Sequence, residues 1–283
     1  MLFDTHLHLI YPDKLSYPWL SSVEELNRPS TLEDYKKKAS RLGIGASLHM
    51  EVDVAEHQIR DETALLRKLM SEPNSLIRGV ISACRPESEE FPLFLDWAME
   101  NEDIVRGFRR VLHVVPDGLS QSKLFRENVK RLSDTRFTFD ICALSRQLRL
   151  VIELVDFCPE VVFVLDHCGV PDIKSGELTN WSIQIRELAK RKNVTAKISG
   201  LIAYGNPETW SIEDIRPYFE ETVAAFGHQR VIWGSDSPVC NLGGGLETWV
   251  SATHVLTNSW SRAHRDSLFW SNAAELWKLD VNF

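Results

Sequence analysis

The chain has 283 residues, of which 43% are hydrophobic and 25% charged, usage that excludes disordered, collagenous and low-complexity classes. Its net charge of −8 argues against a nucleic-acid partner. No apolar run approaches the ~20 residues of a membrane helix, so no membrane partner is expected.

Met1-Leu2-Phe3-Asp4 opens without a basic leader or a long apolar stretch, so no signal peptide is expected. The cysteines at 84, 142, 158, 168 and 240 lack CxxC spacing. An odd, scattered set points to a reducing cytoplasm rather than a disulfide framework.

Apolar, β-branched runs alternate with helical patterns along the whole chain. Leu2–His8 is followed by Thr31, a capping hydroxyl, and the stripe Leu32, Tyr35, Ala39 and Leu42. Gly45–Val52 precedes Leu65, Leu66, Leu69 and Met70, and Leu76–Ala83 precedes Phe91, Phe94, Leu95 and Ala98. Val105–Leu112 leads to Leu124, Phe125, Val129 and Leu132, and Phe137–Ala143 to Leu148, Val151, Ile152 and Val155. Val162–Cys168 leads to Trp181, Ile185 and Leu188, and Val194–Gly200 to Ile215, Phe219, Val223 and Phe226. Val231–Pro238 is last, before a helix marked by Leu246, Trp249, Val250 and Thr253 and a helical tail with Ala273, Leu276 and Trp277. After the last run and before that helix, Gly243-Gly244-Gly245 reads either as a flexible loop or as a mobile rim over a pocket.

The runs start 25 to 43 residues apart, close to the ~30 residues of a βαβ step. Eight such steps predict an α/β fold, a closed (β/α)8 barrel. No linker interrupts them, so residues 1–283 read as one domain.

The chemistry sits at the ends of the runs. His6 and His8 share one strand face at the C-terminal end of the first, with Leu7 pointing the other way. Barrel active sites lie at that end. The sixth run reaches His167 and the eighth Asp236. Three imidazoles and one carboxylate converging on one axis make a mononuclear site for a divalent ion, zinc first. The fourth run ends without a Lys or Glu to bridge two ions, which disfavours a binuclear centre. Lys197, in an otherwise small and apolar strand, is costly unless it faces the mouth and meets an anion. Trp19 and Tyr17 in the first loop can stack on a substrate ring or pack beneath the loop. His49, Glu51 and His113 are further candidates for the pocket wall. His57, His228, His254 and His264 read as ordinary residues, and Cys168 as pointing away from His167.

At these residues the chain resembles the amidohydrolase superfamily, through Asp4-Thr5-His6-Leu7-His8, the strand-six His167 and the strand-eight Asp236. Several stretches resemble more closely its branch of sugar and dicarboxylate lactonases. They are Tyr17-Pro18-Trp19-Leu20, Val105-Arg106-Gly107-Phe108-Arg109-Arg110, Leu165-Asp166-His167-Cys168-Gly169, Ala196-Lys197-Ile198-Ser199-Gly200-Leu201, Trp233-Gly234-Ser235-Asp236-Ser237-Pro238-Val239 and Asn272-Ala273-Ala274. The chain departs from the pattern at Val170, where the family carries Lys, at Ser237, where it carries Trp, and at Arg110, where it carries His. These positions surround the pocket and bear on the substrate rather than the fold.

The resemblance implies a hydrolase that opens the lactone of a sugar acid or a small dicarboxylate, with Asp236 moving the water's proton and Arg109, Lys197 and Trp19 meeting the substrate. His6, His8, His167 and Asp236 would hold one metal; since the family includes members that work without one, a metal-independent route stays open. A decarboxylase of the same superfamily, an amide or imide hydrolase, and a barrel that binds without catalysis are the competing readings. The expected partner is a small molecule, and nothing in the sequence sets the oligomeric state.

Overall fold

Eight apolar runs become eight strands: β1 (Leu2–Leu7), β2 (Ile44–Met50), β3 (Ile77–Ala83), β4 (Val105–Val111), β5 (Thr138–Cys142), β6 (Phe163–Leu165), β7 (Val194–Ile198) and β8 (Val231–Trp233). The computed structural model describes residues 1–280. All the strands pair in parallel and in chain order. The circle closes where Leu7 bridges Ser237: the His8 N–H donates to the Ser237 carbonyl and the Asp236 N–H to the His6 carbonyl, both at 2.8 Å. This is the (β/α)8 barrel expected from the alternation.

The main helices are α1 (Leu32–Leu42), α2 (Ile59–Met70), α3 (Phe91–Glu100), α4 (Lys123–Lys130), α5 (Leu148–Phe157), α6 (Thr179–Ala189), α7 (Ile212–Phe226) and α8 (Leu246–Leu256). Thr31 caps α1 as read, its hydroxyl accepting from the Asp34 N–H at 3.2 Å. The apolar stripes of these helices cover the outside of the strands, where Trp181, Phe219 and Trp249 are fully buried. Each such side chain stabilises the fold by roughly 1.5–3 kcal/mol. Among the described residues no helix is long and apolar enough to cross a membrane.

Inside the barrel a second core joins Phe3, Leu48, Met50, Ile81, Val164 and Ile232. Ala273 and Trp277 of the last helical segment join it, and the Trp277 indole donates to Thr138 Oγ1, at the start of β5, at 3.2 Å. The N-terminal end of the barrel is therefore plugged. The opposite end, where the strands finish, is left to form a mouth.

Two runs stop earlier than the apolar pattern suggested. The sixth leaves the sheet at Leu165 and the eighth at Trp233. His167, Cys168, Val170 and Asp236 all take positive φ, between 42° and 57°. That left-handed backbone ends strand pairing and is rare for side chains other than Gly. The Gly243-Gly244-Gly245 segment is not a free rim either. A Cβ on Gly243 would lie 2.1 Å from the Ile202 carbonyl oxygen, so the backbone is packed hard against its neighbour.

Candidate active site at the barrel mouth

The end of β1 is shaped by Asp4. Its carboxylate accepts from the Ser235 N–H at 2.7 Å, the His6 N–H at 3.1 Å and the Tyr35 hydroxyl at 2.6 Å. The β1–β2 register slips between Asp4 and Leu7. Phe3 and His6, three residues apart, thus both point into the barrel, while Leu7 packs with the outer core. His6 and His8 then stand together, ring centroids 4.9 Å apart.

His167 and Asp236 come from the two left-handed turns that follow β6 and β8. The His6 and His167 ring centroids are 4.5 Å apart. Asp236 Oδ1 lies 3.7 Å from His6 Nε2 and 3.5 Å from His8 Nε2, and Oδ2 lies 3.9 Å from His167 Nδ1. All four side chains expected from the sequence therefore meet at one mouth. They are nearly or fully buried.

Two glycines make this crowding feasible. A Cβ on Gly234 would fall 2.6 Å from the His6 Cβ, and one on Gly200 2.7 Å from His167 Nδ1. Gly200 also takes a φ of 71°, the left-handed region that favours glycine.

The neighbour of the His8 ring sets its tautomer. His8 Nδ1 is 3.0 Å from the Met50 carbonyl, which only accepts, so Nδ1 carries the proton and Nε2 turns a lone pair toward Asp236. Asp166 Oδ1 is 3.4 Å from His6 Nδ1 and leaves His6 Nε2 on the Asp236 side. Ser199 Oγ lies 2.9 Å from His167 Nδ1. Burial holds the His6 pKa well below its ordinary value, lowers that of His167, and brings His8 down to about 3. All three therefore offer neutral rings. Burial pushes the Asp236 carboxyl up to about 6.

The donors suit a cation. Lone pairs of His8 and Asp236 face each other across 3.5 Å, too long for a hydrogen bond and unfavourable with nothing between. Asp236 Oδ2 is buried with no hydrogen-bond partner. Ligands in a tetrahedron with bonds of ~2.0–2.1 Å sit about 3.4 Å apart. Among the described residues, ligand atoms of His6, His167 and Asp236 lie within 4.8 Å of one another, with His8 joined to them through Asp236. Arg109 is a competitor, because its Nη1 lies 3.3 Å from His6 Nε2. Donation to that nitrogen and metal ligation exclude each other.

Arg109 points inward and Arg110 outward to Glu87, which its Nε reaches at 2.8 Å. Arg109 Nε donates to Glu51 Oε1 at 2.6 Å and Nη2 to the Glu51 carbonyl at 2.9 Å. Burial opposes its charge, but Glu51 and Asp166 keep it firmly protonated. Lys197 corrects its expected role. Its ammonium is fully buried and donates to Asp140 at 2.7 Å and Asp166 at 2.8 Å. It lies 3.3 Å from His6 Nδ1 and is absent from the cavity lining, so it supports His6 from behind instead of meeting a substrate. Burial resists ionisation of Asp166, yet Lys197 and His6 hold its pKa well below the carboxylate range, while burial pushes Asp140 up to about 6.

Above these groups opens a cavity of about 440 Å³, lined by His8, Arg109, His167 and Asp236 and by Trp19. The Trp19 indole donates to the Val52 carbonyl at 2.8 Å, which fixes the ring at the rim. Tyr17 is instead buried beneath the loop, its hydroxyl accepting from the Tyr11 N–H at 3.0 Å. His113 lines the cavity beside Cys142, whose Sγ is 3.3 Å from His113 Nδ1. His49 points out of the barrel toward Glu62 on α2, at 3.2 Å, and not to the wall. Cys168 is turned to the Lys197 carbonyl. Asp140, Asp166, Cys142 and Tyr204 were not anticipated. The one available signal was a charged side chain inside an apolar strand, which Asp140 shares with Lys197.

The amidohydrolase family's sequence pattern matches residues 3–279. The chain is similar to an L-fucono-1,5-lactonase of Burkholderia multivorans, 27% identical over 296 aligned residues that span 98% of this chain and 95% of that one. It is also similar to a crystal structure of a zinc-bound amidohydrolase from Burkholderia multivorans, with a TM-score of 0.88, 26% identity and 99% of each chain covered. A 5-carboxyvanillate decarboxylase of Sphingomonas paucimobilis shares the fold, with a TM-score of 0.68 at 13% identity over 98% of this chain and 99% of that one. The resemblance read from the motifs is borne out. The chain belongs to the amidohydrolase family and is a hydrolase.

Proposed function

We propose that this hydrolase opens a lactone ring by water attack at the barrel mouth, the sugar-acid and small-dicarboxylate lactones being the classes its motifs suggest. The observation that carries the reading is Asp236, a buried carboxylate facing three neutral imidazoles at the base of an open cavity. The lactonase relative, similar along almost its whole length, supports it.

Lactone opening needs an activated water, a held carbonyl and a proton for the departing alkoxide. Asp236 is ionised at neutral pH and close enough to its titration range to take the water's proton and return it to the ring oxygen. Arg109 holds two of its five N–H groups on Glu51, and the others, including the one that would leave His6 when an ion is held there, can orient the substrate's carbonyl oxygen. Trp19 offers its ring face to the substrate at the rim. Lys197 and Asp166 keep His6 in place beneath the reacting atoms.

His6, His8, His167 and Asp236 would hold one divalent ion, zinc first, and that ion would supply carbonyl polarisation and a more acidic water. The zinc-bound relative supports this assignment. The match over residues 3–279 supports a single domain, and a soluble cytoplasmic setting belongs to the same proposal. The test is acid release from a lactone panel, followed by a pH indicator. Carbon dioxide from aromatic acids, or hydrolysis of amides or imides, with every lactone left intact would move the assignment to the competing readings.

A further inference from the structure

Resting on the lactone reading, we propose that the Tyr204 hydroxyl is a further catalytic group of this site: it donates a hydrogen bond to the lactone carbonyl oxygen as water attack turns that atom into an oxyanion. Tyr204 closes a single-turn helix, Leu201–Tyr204, that follows β7. Its phenol stands edge-on to the His167 imidazole, ring centroids 5.8 Å apart at 64°. Gly200 makes room for both rings, since a Cβ there would fall 2.7 Å from His167 Nδ1 and 2.9 Å from Tyr204 Cε2. The helix is also held by the loop after β8, where Gly243 packs on the Ile202 carbonyl and its own carbonyl accepts from the Trp210 indole at 2.9 Å. The phenol is therefore fixed beside one of the four converging side chains, and it lines the same cavity as Arg109 and Asp236.

What singles the hydroxyl out is that it has no partner in the protein. A hydroxyl cut off from water normally finds a hydrogen bond, yet among the described residues none is made to Tyr204 Oη. The neighbouring donors of the wall are committed. The Trp19 indole donates to the Val52 carbonyl at 2.8 Å, the Ser22 hydroxyl to the Trp19 carbonyl at 2.7 Å, and His8 Nδ1 to the Met50 carbonyl at 3.0 Å. Cys142 and His113 face each other at 3.3 Å. Tyr204 thus joins the free N–H groups of Arg109 as a donor able to meet an oxygen in the cavity. A phenol keeps its proton at neutral pH, so this group donates and adds no charge. In the step, the oxygen of water bonds to the carbonyl carbon, its proton goes to Asp236, and the C=O π pair moves onto the carbonyl oxygen, which Tyr204 and Arg109 hold. On collapse that pair re-forms the carbonyl, the ring C–O bond breaks, and Asp236 returns the proton to the departing oxygen. Tyr204 keeps its own proton throughout. A donor fixed before the reaction binds the oxyanion more strongly than the ground-state carbonyl, so it acts on kcat rather than on substrate affinity.

The experiment compares wild type with Tyr204→Phe, which keeps the ring on His167 and loses no protein hydrogen bond. On the best lactone of a panel the variant should lose at least tenfold in kcat, toward the ~10²–10³-fold of a missing oxyanion donor, with KM within threefold. Its melting temperature and zinc affinity should match wild type. A second readout needs no turnover. Calorimetry is run with a six-membered cyclic phosphonate, whose charged P–O oxygen mimics the oxyanion, and with the lactam of the same ring, which mimics the ground state. The variant should bind the phosphonate at least tenfold more weakly and the lactam at most threefold more weakly. A kcat loss below tenfold, a loss carried by KM, equal weakening of both analogues, or a parallel fall in zinc affinity overturns the role, the last by making the ring a support for His167. Selective loss of phosphonate binding in a protein that opens no lactone removes the hydrolysis reading and leaves Tyr204 as the donor. Lactone opening with no selective loss does the reverse.

Discussion

The Lys197 ammonium lies 2.8 Å from Asp166 Oδ1, and both side chains are sealed from solvent below the cavity floor. This pair, with Asp140 as third member, is the base on which His6 rests. Replacing Lys197 by Met would leave two buried carboxylates without their cation. Loss of one partner from a buried pair costs roughly 3–5 kcal/mol. Urea unfolding of Lys197→Met should show a loss of that size, and a change below about 1 kcal/mol would mean the ammonium is dispensable.

Gly234 is expected to tolerate no side chain. Its missing Cβ is the space His6 occupies, with only 2.6 Å between the positions. Gly234→Ala should cost about 1–3 kcal/mol through overpacking and reduce turnover by displacing the imidazole. Gly118 is the control, because a Cβ there meets nothing within 4 Å. Gly118→Ala should stay within about 0.5 kcal/mol of wild type. Matching melting curves and rates for both variants would contradict the steric account.

The Ser199 hydroxyl, 2.9 Å from His167 Nδ1, orients that ring. Partners of this kind typically contribute 10–100-fold to metal affinity. Titration calorimetry with zinc should show a loss in that range for Ser199→Ala. Undiminished zinc binding would place His167 outside the donor set or make its orientation independent of Ser199.

Much of this arrangement was legible in the chain. His6 and His8 share a face because strand side chains alternate, and a shift of register does not separate residues two apart. His167 and Asp236 stood out because each ends an apolar run that must lie in the sheet. The rest was hidden by backbone geometry. Alternation would send Asp166 and His167 to opposite faces, but the positive φ of His167 and Cys168 lets both serve the site. Glu51 looked like a strand-mate of His49, yet β2 ends at Met50, so Glu51 turns to Arg109 while His49 faces α2. Lys197 was marked by its cost in an apolar strand, but its anions proved to be Asp140 and Asp166, which only the folded barrel brings near.

Asp236 carries the central claim, and its removal is the most direct test. The rate of acid release from the best lactone of the panel should be compared between wild type and Asp236→Asn, which keeps size and loses the base. The expected loss is about 10²–10⁴-fold in kcat, the range of a positioned acid–base group, with the melting temperature preserved. An Asn variant that opens lactones as fast as wild type, or a wild type that opens none, would contradict the account.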